Sequence, residues 1–375
     1  MSASKRNLAI GLAALAVLAV VAALFLCDRN PRRHVTREDV AVDIAPGFTT
    51  AAAPPVGPLP TPAQSARKGQ IYFHRSTALS KIIPGEGIVT RLPDLAEKGL
   101  VQYQIQSDRL SPDATRMAYG NAVVKKVADS YGSFPPEAIF VREIANSKPG
   151  GKLVALERSE IHALFWSPDS AQVAFTSWDA DKGTRNWVVD VASQALHELK
   201  LPQHHALDGK TYTLELAAWS PDGNWFAAGD ESLLYLVQMN RTGPVWSWSG
   251  RKRLTKDPHR ILGGSCSFSP DGRKILFATV DEGVRMSLVT ADVERIDDTE
   301  QLLVAPGRFT DLYGCWSPDG KRVAFSGAHL DADGKRAGQS GIYILDPSKA
   351  NDKPAPVLEE VHPPEQSPLR LVDWR

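Results

Sequence analysis

The sequence predicts an all-β fold: a six-bladed β-propeller of four-stranded antiparallel blades, closed by pairing of both termini and preceded by an N-terminal transmembrane helix. Three observations predict it. A five-residue signature, aromatic-Ser-Pro-Asp-Gly, recurs along the chain at near-regular spacing. A short alternating run of β-branched, small and aromatic residues follows each copy. The repeat region opens in the middle of one unit and closes with that unit's missing first part.

The clearest copies are Trp316-Ser317-Pro318-Asp319-Gly320, followed by Val323-Ala324-Phe325, then Phe268 to Gly272 and Trp219 to Gly223. Weaker ones are Trp166 to Ser170 and Leu110 to Ala114. The serines stand at 111, 167, 220, 269 and 317, so the steps are 56, 53, 49 and 48 residues. A period in that range marks an array of supersecondary units. The tetrapeptide Ser-Pro-Asp-Gly suits a type I turn: Ser accepts at the first corner, Pro presets φ at the second, and Gly is favoured at the fourth. Each copy therefore reads as two strands joined tightly. A third apolar run follows, as in Ile342 to Leu345 or Trp187 to Val189, and a fourth, as in Pro356 to Leu358 or Leu196 to Leu199. Four strands in about 50 residues describe a propeller blade. Ala114 and Ser170 replace the turn glycine, so looser turns are expected there.

In chain order, residues 1–27 read as a signal anchor. Leu8 to Leu26 is uncharged and reaches about 28 Å as a helix, enough for the hydrocarbon core. A cleaved signal peptide is the rival reading. No small-x-small site precedes Cys27, and Leu26 is too large for a lipidation signal there. Arg29, Arg32, Arg33 and Arg37 outnumber Lys5 and Arg6, which favours a cytoplasmic body, yet long C-terminal domains translocate regardless of flanking charge. Residues 28–68 form a juxtamembrane segment and a proline-rich linker, a semi-rigid spacer of about 3.1 Å per residue where it is polyproline II. The propeller spans 69–375. Gly69 to His74 resembles the second strand of a blade, and Leu369 to Trp374 resembles the missing first strand. Together they make blade 1, and the five signature copies make blades 2 to 6. Blade 2 carries an insertion, Gly120 to Glu137, expected to be a protruding loop.

Little in the sequence points to chemistry. With 43 basic and 43 acidic residues the formal charge is zero, so no global field favours nucleic acid. Gly263-Gly264-Ser265-Cys266-Ser267 lacks the closing glycine of a nucleophile elbow. Asp331-Ala332-Asp333-Gly334 and Asp179-Ala180-Asp181 lack the twelfth-position Glu of a calcium loop and read as hairpin turns. His204-His205 reads as a solvated loop pair. Cys266 and Cys315 lie in adjacent first strands but out of step, as two small buried hydrophobes, with a disulfide as the alternative. No catalytic set, metal or cofactor is expected. What remains is the channel mouth, where the first strands begin. Five residues before each turn serine stand Gln106, His162, Glu215, Gly264, Leu312 and, by alignment, Arg370, with Asp311 one step earlier. Gln106, His162, Glu215, Asp311 and Arg370 are the candidate ligand-binding or partner-binding residues. His162 with Glu215 would serve as a general acid–base pair if the channel were catalytic.

The signature resembles the TolB-like family of propeller repeats over about residues 69 to 375. The resemblance implies six blades and an exported protein. Propellers of that family serve as binding platforms, as gates of peptidases and occasionally as enzymes; no peptidase domain is expected after this one. TolB itself carries an additional amino-terminal α/β domain, where this sequence has a span and a spacer, which weighs against a role in the Tol–Pal system. The expected function is a non-catalytic, membrane-anchored, extracytoplasmic binding platform for a protein or cell-envelope component, periplasmic in a Gram-negative bacterium, with a monomeric propeller. The alternatives are a propeller enzyme acting on a glycan or peptide at the channel mouth, and a structural subunit of an envelope complex.

Overall fold

Every Ser-Pro-Asp turn in the computed structural model is built from the same three hydrogen bonds. In blade 6, Ser317 Oγ donates to Asp319 Oδ1 at 2.6 Å and accepts the Arg322 N–H at 2.9 Å, while Asp319 Oδ1 also accepts the Lys321 N–H at 3.1 Å. The same set recurs around Ser111, Ser167, Ser220 and Ser269. The fourth corner takes a left-handed conformation, at φ +69° in Gly320 and Gly272 and +78° in Gly223. Ala114 and Ser170 adopt it too, at φ 56° and 59°, and their N–H groups close the turn at 2.8 and 2.9 Å. The expectation of looser turns is therefore corrected. The side-chain bonds hold these turns to the common geometry, and the missing glycine appears as backbone strain instead.

The structure describes residues 69–375 apart from short connecting segments, the longest being 93–104. The expected anchor (1–27) and linker (28–68) lie outside the described residues. Among the described residues no helix is long and apolar enough to cross a membrane.

Six antiparallel sheets form the blades among those residues. Blade 3 is typical: an inner strand Ser159–Trp166, then Gln172–Asp179, Gly183–Asp190 and an outer strand Leu196–Leu199. Blade 1 is assembled from both ends of the repeat region. Its inner strand Arg370–Trp374 pairs with Ile71–Arg75, Ile71 opposite Trp374 and His74 opposite Arg370, and the sheet continues through Ala78–Ile82 and Val89–Arg91. Closure by the two termini is thus observed.

Six separate apolar clusters fill the ring, one between each pair of neighbouring blades. The aromatic residue eight positions after the turn serine enters them as Tyr119, Phe175, Phe277 and Phe325, all fully buried. The signature tryptophans link blades directly: Trp166 Nε1 donates to Arg109 O of blade 2 at 2.9 Å, and Trp316 Nε1 to Ser267 O of blade 5 at 3.2 Å. Cys266 and Cys315 are buried free thiols in different clusters. Burial pushes the Cys266 thiol up to about 12.

The turns crowd one rim. A Cβ built on Gly320 would come within 3.5 Å of Pro270 Cδ, and one on Gly272 within 3.8 Å of Pro221 Cδ, so each turn rests against its neighbour. Because the strands alternate in direction, the links from second to third strand, and from each blade to the next, lie at the opposite rim. The blade 2 insertion arises there and is a β-hairpin, Val123–Val127 paired with Ser130–Phe134, rather than a loop. His204-His205 also lies in a strand, Gln203–His205 paired with Thr211–Thr213, rather than in an open loop. Asp331 and Asp179 cap their own turns, accepting backbone N–H bonds from Asp333 and Lys335 and from Asp181 and Lys182.

Candidate functional site

The inner strands are interrupted in their pairing to the second strands, and in blades 1, 3, 4 and 6 the pairing resumes toward the mouth rim. In blade 3, Ile161 opposes Ser177 but Ala163 opposes Thr176, so His162 is the extra residue of a β-bulge. Blade 2 is irregular between Ile105 and Asp108, blade 4 between Leu216 and Ala218, and blade 6 between Thr310 and Tyr313. Blade 1 breaks between Leu371 and Asp373. In blade 5, Ile261 opposes Thr279 and Ser267 opposes Leu276, so six steps on one strand span three on the other. A bulge bends the strand, leaves backbone groups unpaired and re-aims side chains, which is why bulges accumulate beside binding sites.

The candidates fall into different surroundings as a result. Gln106 lies within the blade 2 bulge, in strand Ile105–Leu110. The His162 side chain is 40% exposed, and its Nε2 lies 3.6 Å from Glu160 Oε2. Half-buried Glu215 accepts a hydrogen bond from Thr184 Oγ1 at 3.3 Å. Asp311 sits in its bulge at φ 56°, with Arg336 Nη2 2.9 Å from Oδ1 in hydrogen-bonding geometry and 2.7 Å from Oδ2 outside it. Leu312 is fully buried between blades, and Gly264 lies outside the described residues.

Arg370 lies over the Tyr313 ring of blade 6 and joins a cluster that counting from the turns does not find. It pairs with Asp108 of blade 2, which also bonds His74 Nε2; Asp108 is 1% exposed and His74 4%. Burial by itself would raise the Asp108 pKa. The charges of Arg370 and His74, the His74 hydrogen bond and the Arg109 charge outweigh it and hold the carboxyl well below its ordinary range. Arg109 Nη1 donates to Asp108 O at 3.0 Å, and Arg375 pairs with Asp373 at 2.6 Å. A signal for Asp108 exists in the repeat. Three residues before the turn serine the other copies carry Leu164, Ala217, Cys266, Gly314 and Val372, so a carboxylate there is out of place.

Trp178 is a second feature the count misses, and it has no signal in the repeat. It is the last residue but one of the second strand of blade 3, near the mouth rim, directly opposite Glu160 on one side and Thr184 on the other. His162, Glu160, Trp178 and Glu215 thereby gather at the junction of blades 3 and 4, while Asp311 lies on blade 6 and Arg370 in the Asp108 cluster.

No protein-family model matches the sequence, and no curated protein matches it. The fold is similar to solved propellers. TolB from Acinetobacter baumannii superposes with a TM-score of 0.53 at 16% identity, covering 82% of this chain and 66% of that one. A candidate TolB from Agrobacterium tumefaciens gives 0.51 at 14% identity, covering 81% and 98%. The chain thus spans just under two-thirds of the length of the Acinetobacter protein. Its propeller is structurally similar to TolB propeller domains at low sequence identity, a likeness of fold.

Proposed function

We propose that this chain is a non-catalytic binding platform, anchored in the membrane by residues 1–27 and holding its propeller on the extracytoplasmic side. In this reading it engages a protein or cell-envelope component through the mouth rim. One observation carries it: the inner strands of blades 1, 2, 3, 4 and 6 are interrupted in their pairing to the second strand, which places Gln106, His162 and Asp311 in bulges. Regular pairing is the cheaper arrangement, and bulges at three of the candidate residues re-aim their side chains, which favours the strand ends that carry them as a surface. The opposite rim is occupied by turns resting on one another. His162 reaches Glu160 and Glu215 is held by Thr184, so the two residues of the enzymatic alternative are each engaged elsewhere.

The test is photo-cross-linking in intact cells. A benzoylphenylalanine at position 162 or 311 should capture one discrete species, and the same probe at Asp222 or Asp271 of the turn rim should not. Absence of adducts from the mouth rim, or a propeller protected from protease added outside the cytoplasm, would overturn the reading.

A further inference from the structure

Trp178 keeps 41% of its surface exposed although every other residue of its strand, Gln172–Asp179, is buried. Its direct cross-strand neighbours are Glu160 and Thr184. Residues opposite one another on antiparallel strands share a face, with Cβ atoms about 4.5–5.5 Å apart, so these three side chains form one row. The row looks toward blade 4. Thr184 Oγ1 donates to Glu215 Oε1 at 3.3 Å, and two residues along from Trp178 on the same face, Thr176 Oγ1 accepts the Leu216 N–H of blade 4 at 3.0 Å.

An indole therefore stands in a row flanked by two carboxylates, one from each blade. Among the described residues, the basic side chain next in sequence to the row faces away from it. Arg185, adjacent to Thr184, points to the other face, 4.2 Å above the Trp187 ring and 3.0 Å from Glu198. Lys182 lies in the connecting turn beside Asp179. His162 reaches the row through Glu160, its Nε2 3.6 Å from Oε2.

We propose that Trp178, Glu160 and Glu215 form a subsite for a cationic side chain, a lysine or arginine carried by a basic segment of a protein partner. The proposal rests on the mouth rim being a binding surface and specifies what one part of it recognises. The negative face of an indole attracts an ammonium or guanidinium group, and this contact strengthens as the ion sheds water. The carboxylates supply the opposite charge and the acceptors that the ion's N–H donors need. A neutral glycan could stack on the same indole, but its affinity would be indifferent to salt and to the charge at 160 and 215.

Labelled hexalysine, titrated against the full-length protein in detergent and followed by fluorescence anisotropy, tests this. Hexalysine should bind and weaken as salt is raised. Trp178→Ala and Glu215→Gln should each weaken it about fivefold, while Trp178→Phe retains most of the affinity. Glu198→Gln, on the other face of blade 3, should change nothing. Thermal melts matching the parent protein show that lost binding is not lost folding; if Trp178→Ala fails that check, Glu160→Gln carries the test with the same expected loss. No hexalysine binding, binding indifferent to Trp178→Ala and Glu215→Gln, or competition by maltohexaose would each overturn the subsite. If mouth-rim cross-links persist when hexalysine does not bind, the platform reading survives and the cation subsite alone fails.

Discussion

Asp108, on the inner strand of blade 2, holds Arg370 from the last strand of the sequence, and the same carboxylate holds His74 from the first strand of the ring. One buried carboxylate thus clasps both halves of the blade that closes the propeller. Asp108→Asn removes the buried charge that Arg370 and His74 face. Breaking such a pair from one side costs about 3 kcal/mol or more. Urea denaturation followed by tryptophan fluorescence should show that loss, and a change below about 1 kcal/mol would refute the clasp.

The same contact predicts a response to acid. The folded pKa of Asp108 is depressed, so its contribution is fully present above the ordinary carboxylate range and is lost as pH falls below about 4. The parent protein should therefore lose stability steeply between about pH 4 and pH 2, where Asp108→Asn should follow a flatter curve. Parallel curves would show that Asp108 does not drive the acid transition.

Ala114 and Ser170 occupy the left-handed corner that glycine occupies in the other turns. An L-residue pays about 1–2 kcal/mol there, partly offset by the extra unfolded-state freedom of glycine. Ala114→Gly should stabilise the protein by about 0.5–1 kcal/mol. Ser170→Gly should gain less, because Ser170 Oγ accepts the Asp113 N–H of the neighbouring turn at 3.4 Å. The reverse change, Gly320→Ala, should cost about 1 kcal/mol from the same backbone strain. Chemical denaturation of the three variants ranks them directly.

Trp316 and Trp374 are equivalent and equally buried, but only Trp316 Nε1 has an acceptor, Ser267 O; that of Trp374 is buried with no hydrogen-bond partner. Replacement by Phe removes the same volume from both sites. Trp316→Phe should therefore be the costlier of the two by about 1 kcal/mol, the net worth of an ordinary hydrogen bond. Equal losses would mean that the indole N–H does not join blades 5 and 6.

The ring was legible because its signature is local. Ser317, Asp319 and Arg322 complete their hydrogen bonds within five residues, so the motif makes its turn without help from the rest of the chain. Closure was legible because Gly69 to His74 and Leu369 to Trp374 are complementary fragments of one unit. The site was less so, for a geometric reason. Counting back five residues from each serine assumes unbroken strands, and every inner strand is broken before the count is complete. His162 therefore emerges exposed, Leu312 is buried, and Arg370 turns toward Asp108. The length of the blade 2 insertion, Gly120 to Glu137, suggests a loop too long for a hairpin, yet Val123–Val127 and Ser130–Phe134 within it pair as strands. Trp178 matters through its cross-strand neighbours, which a one-dimensional repeat does not display.

Cys266 and Cys315 give a final test of the ring's integrity. Both thiols are buried, and burial raises both pKa values, that of Cys266 to about 12, with Arg109 opposing only in part. At pH 8 the reactive thiolate is then scarce and the alkylating reagent has no approach. Iodoacetamide should leave both residues unmodified in the native protein and modify both in urea, as read by peptide mass spectrometry. The two lie in different inter-blade clusters, Cys266 between blades 4 and 5 and Cys315 between blades 6 and 1. Asp108→Asn loosens the blade 1 junction first, so it should speed labelling of Cys315 at urea concentrations that leave Cys266 protected. Simultaneous exposure would mean that the ring opens all at once and that the Asp108 clasp marks no weak point in it.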